Sequence, residues 1–154
     1  MDIAFVAGFG PIGRLDSESH DFWAGAFGIP FHENSPGYFH TEELPGVKAF
    51  AIWPLDQAAE ATFGTTTWPE HVPVPQAWIE FDVAAPELVA PAVDELRAKG
   101  CLILVEAHEE PWGQTTSRTL SPEGLLVGVS YTPWMHEGGA SDEDGVTDER
   151  ADTA

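Results

Sequence analysis

The chain has 154 residues, 43% of them apolar, with 26 Asp and Glu against six Lys and Arg, a formal net charge of −20. That length and apolar content suit one compact unit, or two half-domains sharing a core. The charge argues against nucleic acid, because phosphate binding needs clustered basic side chains, and Arg14, Lys48, Arg97, Lys99, Arg118 and Arg150 are scattered. No run reaches the roughly 20 apolar residues of a membrane span, the Met1-Asp2-Ile3-Ala4 start lacks an export signal's basic region, and Cys101 has no partner cysteine. The expectation is a cytoplasmic protein without membrane contact, with Cys101 as a small buried residue.

Ile3 to Ile12 reads as a Gly-rich apolar strand. Asp16 is placed to cap a helix in which Phe22, Trp23, Ala26 and Phe27 recur at helical spacing, and Gly28 ends it. The Phe22 and Trp23 pair is expected to pack that helix on the sheet. Phe31 to Glu33, Tyr38 to Glu42 and Val47 to Trp53 follow as three antiparallel strands with Gly and Pro between them. Module 1 therefore runs from about 3 to 55 and has the pattern βαβββ. Gly8 to Gly13 spells GxGxxG, but the antiparallel meander that follows is the wrong context for a dinucleotide site.

Residues 56–75, with Gly64, Pro69, Pro73 and Pro75, have the composition of an irregular linker. Module 2, about 76 to 133, opens with an alternating strand: Ala77, Ile79, Phe81 and Val83 on the expected core side, and Gln76, Trp78, Glu80 and Asp82 on the other. Leu88, Val89, Ala92, Val93 and Leu96 make a helical stripe closed by Gly100; Pro91 requires a kink or a later helix start than Pro86. Cys101 to Ala107, Gln114 to Leu120 and Leu125 to Tyr131 complete a second βαβββ. The two modules echo each other in sequence. Gly37 to Pro54 and Gly113 to Pro133 each run from a strand-opening Gly to a Leu, a Pro-containing turn ending in Gly, and an apolar strand into Pro.

From Met135 onward the chain is almost devoid of apolar side chains and holds seven acids and one Arg, which predicts a disordered acidic tail over 135–154 after one domain at 1–134. The preceding body keeps 19 acids against five bases, so it favours cationic ligands. The six histidines show no HxH or HxxxH spacing and are expected in loops or at strand ends.

Phe22 to Pro30 (FWAGAFGIP), the paired βαβββ units and the ending Glu109 to Pro133 resemble the vicinal oxygen chelate superfamily of glyoxalases, extradiol dioxygenases and bleomycin-resistance proteins. Arg118 to Gly124 (RTLSPEG) is similar to that family's R-x-x-D-P-x-G turn. The resemblance implies an α+β fold in which two tandem βαβββ modules form an open, cleft-bearing mixed sheet. It also implies metal ligands on the first strand of each module and four residues past each turn Gly. Those positions are Trp78, Ala7 or Gly8, Gly128 and Phe50, which offer no donors, so no metal or other cofactor is expected there. A displaced divalent site using Glu80 with His40 or Glu42 is the alternative.

Trp78, Glu80, Lys48, Phe50, Gln114, Thr116, Arg118 and Gly128 are the expected ligand-binding residues, with Glu80 the candidate catalytic carboxylate. Two functions fit them. One is a metal-free protein similar to the bleomycin-resistance branch, a type linked to antibiotic resistance. It would sequester a flat or cationic small molecule in an aromatic cleft completed by a second copy in a homodimer. The other is a glyoxalase-like lyase, isomerase or dioxygenase using a displaced metal or an acid/base pair such as Glu80 with Lys48.

Overall fold

In the computed structural model, which describes residues 1–14 and 17–136, the chain opens with strand β1, Phe5–Gly13. Helix α1, Ser17–His20, runs directly into a π-helical turn, Asp21–Ala26. Strands β2 (His32–Ser35), β3 (Tyr38–Thr41) and β4 (Ala49–Pro54) complete the first βαβββ module, and helix α2, Leu55–Phe63, connects it to the second. The second module comprises β5 (Ala77–Asp82), α3 (Val89–Ala98), β6 (Ile103–Glu109), β7 (Thr115–Leu120) and β8 (Leu126–Tyr131). A 3₁₀ turn, Pro133–Met135, follows. Asp16, the expected helix cap, and residues 137–154 of the expected tail lie outside the described residues.

The eight strands form one mixed sheet in the order β2-β3-β4-β1-β5-β8-β7-β6. Each module closes on itself through a parallel pair, β1 with β4 and β5 with β8, and the modules join through antiparallel β1 and β5. The tandem βαβββ arrangement and open sheet expected from sequence are both present. The fold therefore places the first strands of the two modules side by side at the sheet centre.

The sheet has two differently covered faces. On the outer face the π-helical turn packs through Trp23, whose ring meets Phe50 edge-on at 5.5 Å, and α3 buries Val89 and Ala92 against Val83 and Val129. On the inner face α2 buries Ala58 and Ala59 with Trp68, Val72, Trp78 and Leu126. These two apolar clusters are the core.

Several sequence expectations change here. Residues 55–63 are helical rather than irregular, because that stretch contains no Pro or Gly and presents an Ala-Ala face to the core. Only Gly64 stops it, with φ of 73° and its N–H on Glu60 O. The prolines that suggested a linker all lie beyond. Pro91 is accommodated because α3 starts at Val89, which puts Pro91 in the first turn, where its missing N–H has no intrahelical partner to lose. In the π-helical turn the Phe27 N–H bonds Phe22 O, five residues back, and the wider winding leaves Phe22 half exposed while Trp23 packs inward. On β5 the expected core side is reversed in degree: Ile79 and Phe81 are only half-buried, whereas Trp78 and Asp82 on the α2 side are buried. Cys101 is exposed, and Met135 and His136 lie among the described residues, in and just after the 3₁₀ turn.

Candidate functional site

Strand register sorts the inner-face residues into three rows that cross the sheet. The first joins Gly10, Trp78, Leu126 and Leu120. The second joins Ala49, Gly8, Glu80, Gly128 and Arg118. The third joins Phe5, Asp82, Ser130, Thr116 and His108. The face thus passes from an apolar row under α2, through a row with one carboxylate, to a polar row.

Trp78 fills the apolar half. Its indole N–H donates to Ala51 O at 3.3 Å, its ring meets Trp53 edge-on at 5.8 Å, and only 7% of the residue is exposed. Gly8 makes this possible, since a Cβ there would lie 2.4 Å from the indole ring. Arg118 closes the same half from the side. Its buried guanidinium donates to Glu110 at 2.7 Å and to Ala61 O at 2.9 Å and lies 5.4 Å from the Trp53 ring, tying α2 to β7. A buried cation that bonds a carboxylate with one nitrogen and a backbone carbonyl with another is a structural clamp.

Glu80 occupies the middle row in a space made by Gly128. A Cβ at 128 would stand 2.6 Å from Glu80 Oε1 and 2.9 Å from its Cδ. The carboxylate accepts the hydroxyls of Thr116, at 2.9 Å, and Ser130, whose oxygens lie 2.7 Å apart. Among the described residues no cation pairs with Glu80 or Glu42. Both carboxylates act on Tyr38, whose phenol is pushed up to about 12, first by burial and then by the charges of Glu80 and Glu42. It stays a protonated donor at any physiological pH.

In the polar row Asp82 is fully buried. Burial pushes its carboxyl pKa up against the hydrogen bonds from Thr132 and His136, which pull it down. Gln114 donates to the Thr132 hydroxyl at 3.0 Å and accepts the Trp112 indole N–H at 3.0 Å. Beside this row, a cleft of about 480 Å³ opens between the β3–β4 loop, Glu42 to Lys48, and the C-terminal turn with Trp134 and Met135. Trp134 is 53% exposed, and the Lys48 ammonium lies 5.1 Å from the centroid of Phe5. Glu42 belongs to both places, lining the cleft and acting on Tyr38.

No protein-family model and no curated protein matches the chain. Among solved structures, a glyoxalase/bleomycin resistance protein/dioxygenase superfamily member from Vibrio splendidus 12B01 superposes with a TM-score of 0.51. It is 18% identical, over 82% of this chain and 96% of that one. The chain shares the fold of that superfamily member. A structure described as an NAD-dependent benzaldehyde dehydrogenase from Legionella pneumophila superposes at 0.56, with 14% identity over 80% and 96% of the two chains. At these identities the likeness is one of fold.

The glyoxalase-like fold brings with it the question of a metal. In the row through Gly128, Ala49 and Gly8 have no donor atoms, Arg118 is a cation, and Glu80 is the one carboxylate. Among the described residues no group of three or more His, Cys, Asp or Glu converges. One carboxylate already accepting two hydroxyls does not fit a divalent ion that wants several donors.

Of the residues expected at the site, the structure brings Glu80, Gly128 and Thr116 together and puts Lys48 on the cleft. Gln114 lies in the Asp82 network, Trp78 and Arg118 in the packing beneath α2. Phe50 sits on the opposite face, against Trp23 and Phe31. Glu42 was expected only as a metal ligand beside Glu80, and Tyr38, Asp82, Trp134 and His136 were not expected at the site. Asp82 was within reach, because strand alternation already set it on the Glu80 face. Tyr38 lies on β3 and is placed by strand pairing, and Trp134 and His136 lie in and just after a turn whose approach no periodicity encodes.

Proposed function

We propose that this protein binds a small organic cation with a flat face in the cleft between the β3–β4 loop and the C-terminal turn. The observation that carries the reading is Glu42, a carboxylate on the cleft wall that forms no ion pair among the described residues and that, together with Glu80, acts on the partly buried Tyr38. Glu43 adds a second carboxylate on the same wall, 3.7 Å from His32. A cation entering there gains Coulomb attraction in a partly desolvated setting, and the exposed Trp134 ring offers a face for cation–π contact of about 0.5 to 2 kcal/mol. Binding without chemistry is consistent with this set, and it stands with the expected sequestering role.

Benzyltrimethylammonium, titrated into the full chain by tryptophan fluorescence, tests this, with benzoate as the anionic counterpart. The cation is expected to bind at least about tenfold more tightly than benzoate, and Glu42→Gln to erase most of that preference. Equal binding of the two probes, or an unchanged preference in Glu42→Gln, removes the cation reading.

A further inference from the structure

One buried carboxylate holds both ends of the turn that carries Trp134. At the near end, Asp82 Oδ2 accepts the Thr132 backbone N–H at 2.6 Å and Oδ1 accepts the Thr132 hydroxyl at 3.0 Å. At the far end, His136 Nε2 lies 2.9 Å from Oδ2. Between these anchors runs Pro133–Met135, and Trp134 and Met135 form one wall of the cleft. The turn's own bonds are modest: Met135 N–H to Thr132 O at 3.0 Å and His136 N–H to Pro133 O at 3.4 Å. The His136 ring also packs against Phe5 at 4.9 Å and Tyr131 at 4.3 Å, so this one side chain fixes the far end to β1, β5 and β8 together.

The two anchors differ in kind. Those from Thr132 do not titrate. Imidazole, by contrast, is the side chain that changes charge around neutrality. Facing an ionised carboxylate, Nε2 must carry a proton to bond at all, and a charged ring adds the attraction of an ion pair to that bond. The other titratable or charged groups around the pair are Glu80, two residues back on β5, and the Tyr131 phenol on β8. Beyond Phe5 of β1 stands Lys48, with Glu42 and Glu43 across the cleft. From β7 the uncharged Gln114 reaches Thr132.

We propose that His136 is a positioning residue for the cleft, and that its pairing with Asp82 makes cation binding stronger when the imidazole is charged. The inference rests on the cation-binding reading above. If Trp134 meets the ligand only with the turn docked, then docking favours the imidazolium, and proton and ligand favour each other's binding. Affinity then falls as pH rises and the ring loses its charge. It falls again in acid, once Asp82 takes up the proton that burial favours and ceases to accept. Simple electrostatics predicts the opposite trend near neutrality, since a proton on His136 removes negative charge from the neighbourhood of a cation. The sign of the pH dependence therefore separates positioning from a field effect.

The test uses the full chain, benzyltrimethylammonium, and His136→Ala and His136→Gln beside the wild type. Wild-type affinity is expected to drop roughly fivefold between about pH 6 and pH 8. His136→Gln, with a neutral N–H donor, should be flat over that interval, and His136→Ala about tenfold weaker at the lower pH. Independently of ligand, amide hydrogen exchange at Met135 should be about tenfold faster in His136→Ala than in wild type at one fixed pH. Affinity rising with pH, an unaltered pH dependence in His136→Gln, or unchanged Met135 protection in His136→Ala overturns the proposal. If the probe binds at neither pH, the cation reading falls, and the exchange measurement decides the positioning role by itself.

Discussion

Gly128→Ala puts one methyl group where the Glu80 carboxylate now lies. The new Cβ would stand 2.6 Å from Oε1, 2.9 Å from Cδ and 3.0 Å from Cγ, all inside ordinary contact, so Glu80 must turn away. Displacing the end of a flexible chain is cheap in itself, and the cost is the loss of the Thr116 and Ser130 hydroxyls. Hydrogen bonds to a charged group are worth about 1.5 to 3 kcal/mol each. The two hydroxyls, 2.7 Å apart, can then bond each other and the released carboxylate reaches water, so a combined loss of about 2 kcal/mol is expected. Alanine in a strand recovers about 0.5 kcal/mol of backbone entropy, which leaves a net destabilisation of about 1.5 kcal/mol. All of that net loss comes from the displaced Glu80. Urea denaturation of a double-mutant cycle with Glu80→Ala should therefore give a coupling of about 2 kcal/mol, with Gly128→Ala mildly stabilising in the Glu80→Ala background. A coupling below about 0.5 kcal/mol, or equal losses in both backgrounds, would show that Gly128 does not make room for Glu80.

Asp82→Asn should flatten one limb of the stability curve. The folded carboxyl binds its proton more tightly than the unfolded one, so between the ordinary value of 3.8 and its raised value the folded state holds more protons. Wild-type stability therefore falls as pH rises through that window. The difference in unfolding free energy between Asp82→Asn and wild type should shift in favour of the variant over the same window, and a difference independent of pH from about pH 4 to 7 would refute the shift. Trp78→Ala opens a cavity beneath α2 and strands the Ala51 carbonyl, an expected loss of about 3 to 5 kcal/mol in urea denaturation. Benzyltrimethylammonium affinity of the folded protein should stay within about twofold, because Trp78 lies in the covered half; a loss under about 1.5 kcal/mol would mean the indole is not packed as described.

The Gly-punctuated strands, the two helical stripes and the echo between residues 37–54 and 113–133 were readable because they are local. Periodicities of 2 and 3.6 and turn chemistry act over a few residues, and they sufficed for two βαβββ units and for the resemblance to the glyoxalase-like fold. The same locality explains the miss over 55–63, where later prolines coloured a window that contains none.

Face and partner are different matters. Alternation told that Trp78, Glu80 and Asp82 share a side of β5, but not that α2 would cover the Trp78 end and leave the Glu80 end open. That choice depends on where the crossover between modules lands, and Arg118, 57 residues from the Ala61 carbonyl it holds, is part of what fixes it. Likewise Gly128 by itself is only a missing side chain. Its meaning comes from the parallel register of β5 with β8, which sets Glu80 over it across 48 residues of sequence. Sequence determined the strands, the helices and their order, since those follow from short-range sterics and burial patterns. Which residues meet across the sheet, and so which carboxylates share a site, was decided only when non-local pairing brought the two modules together.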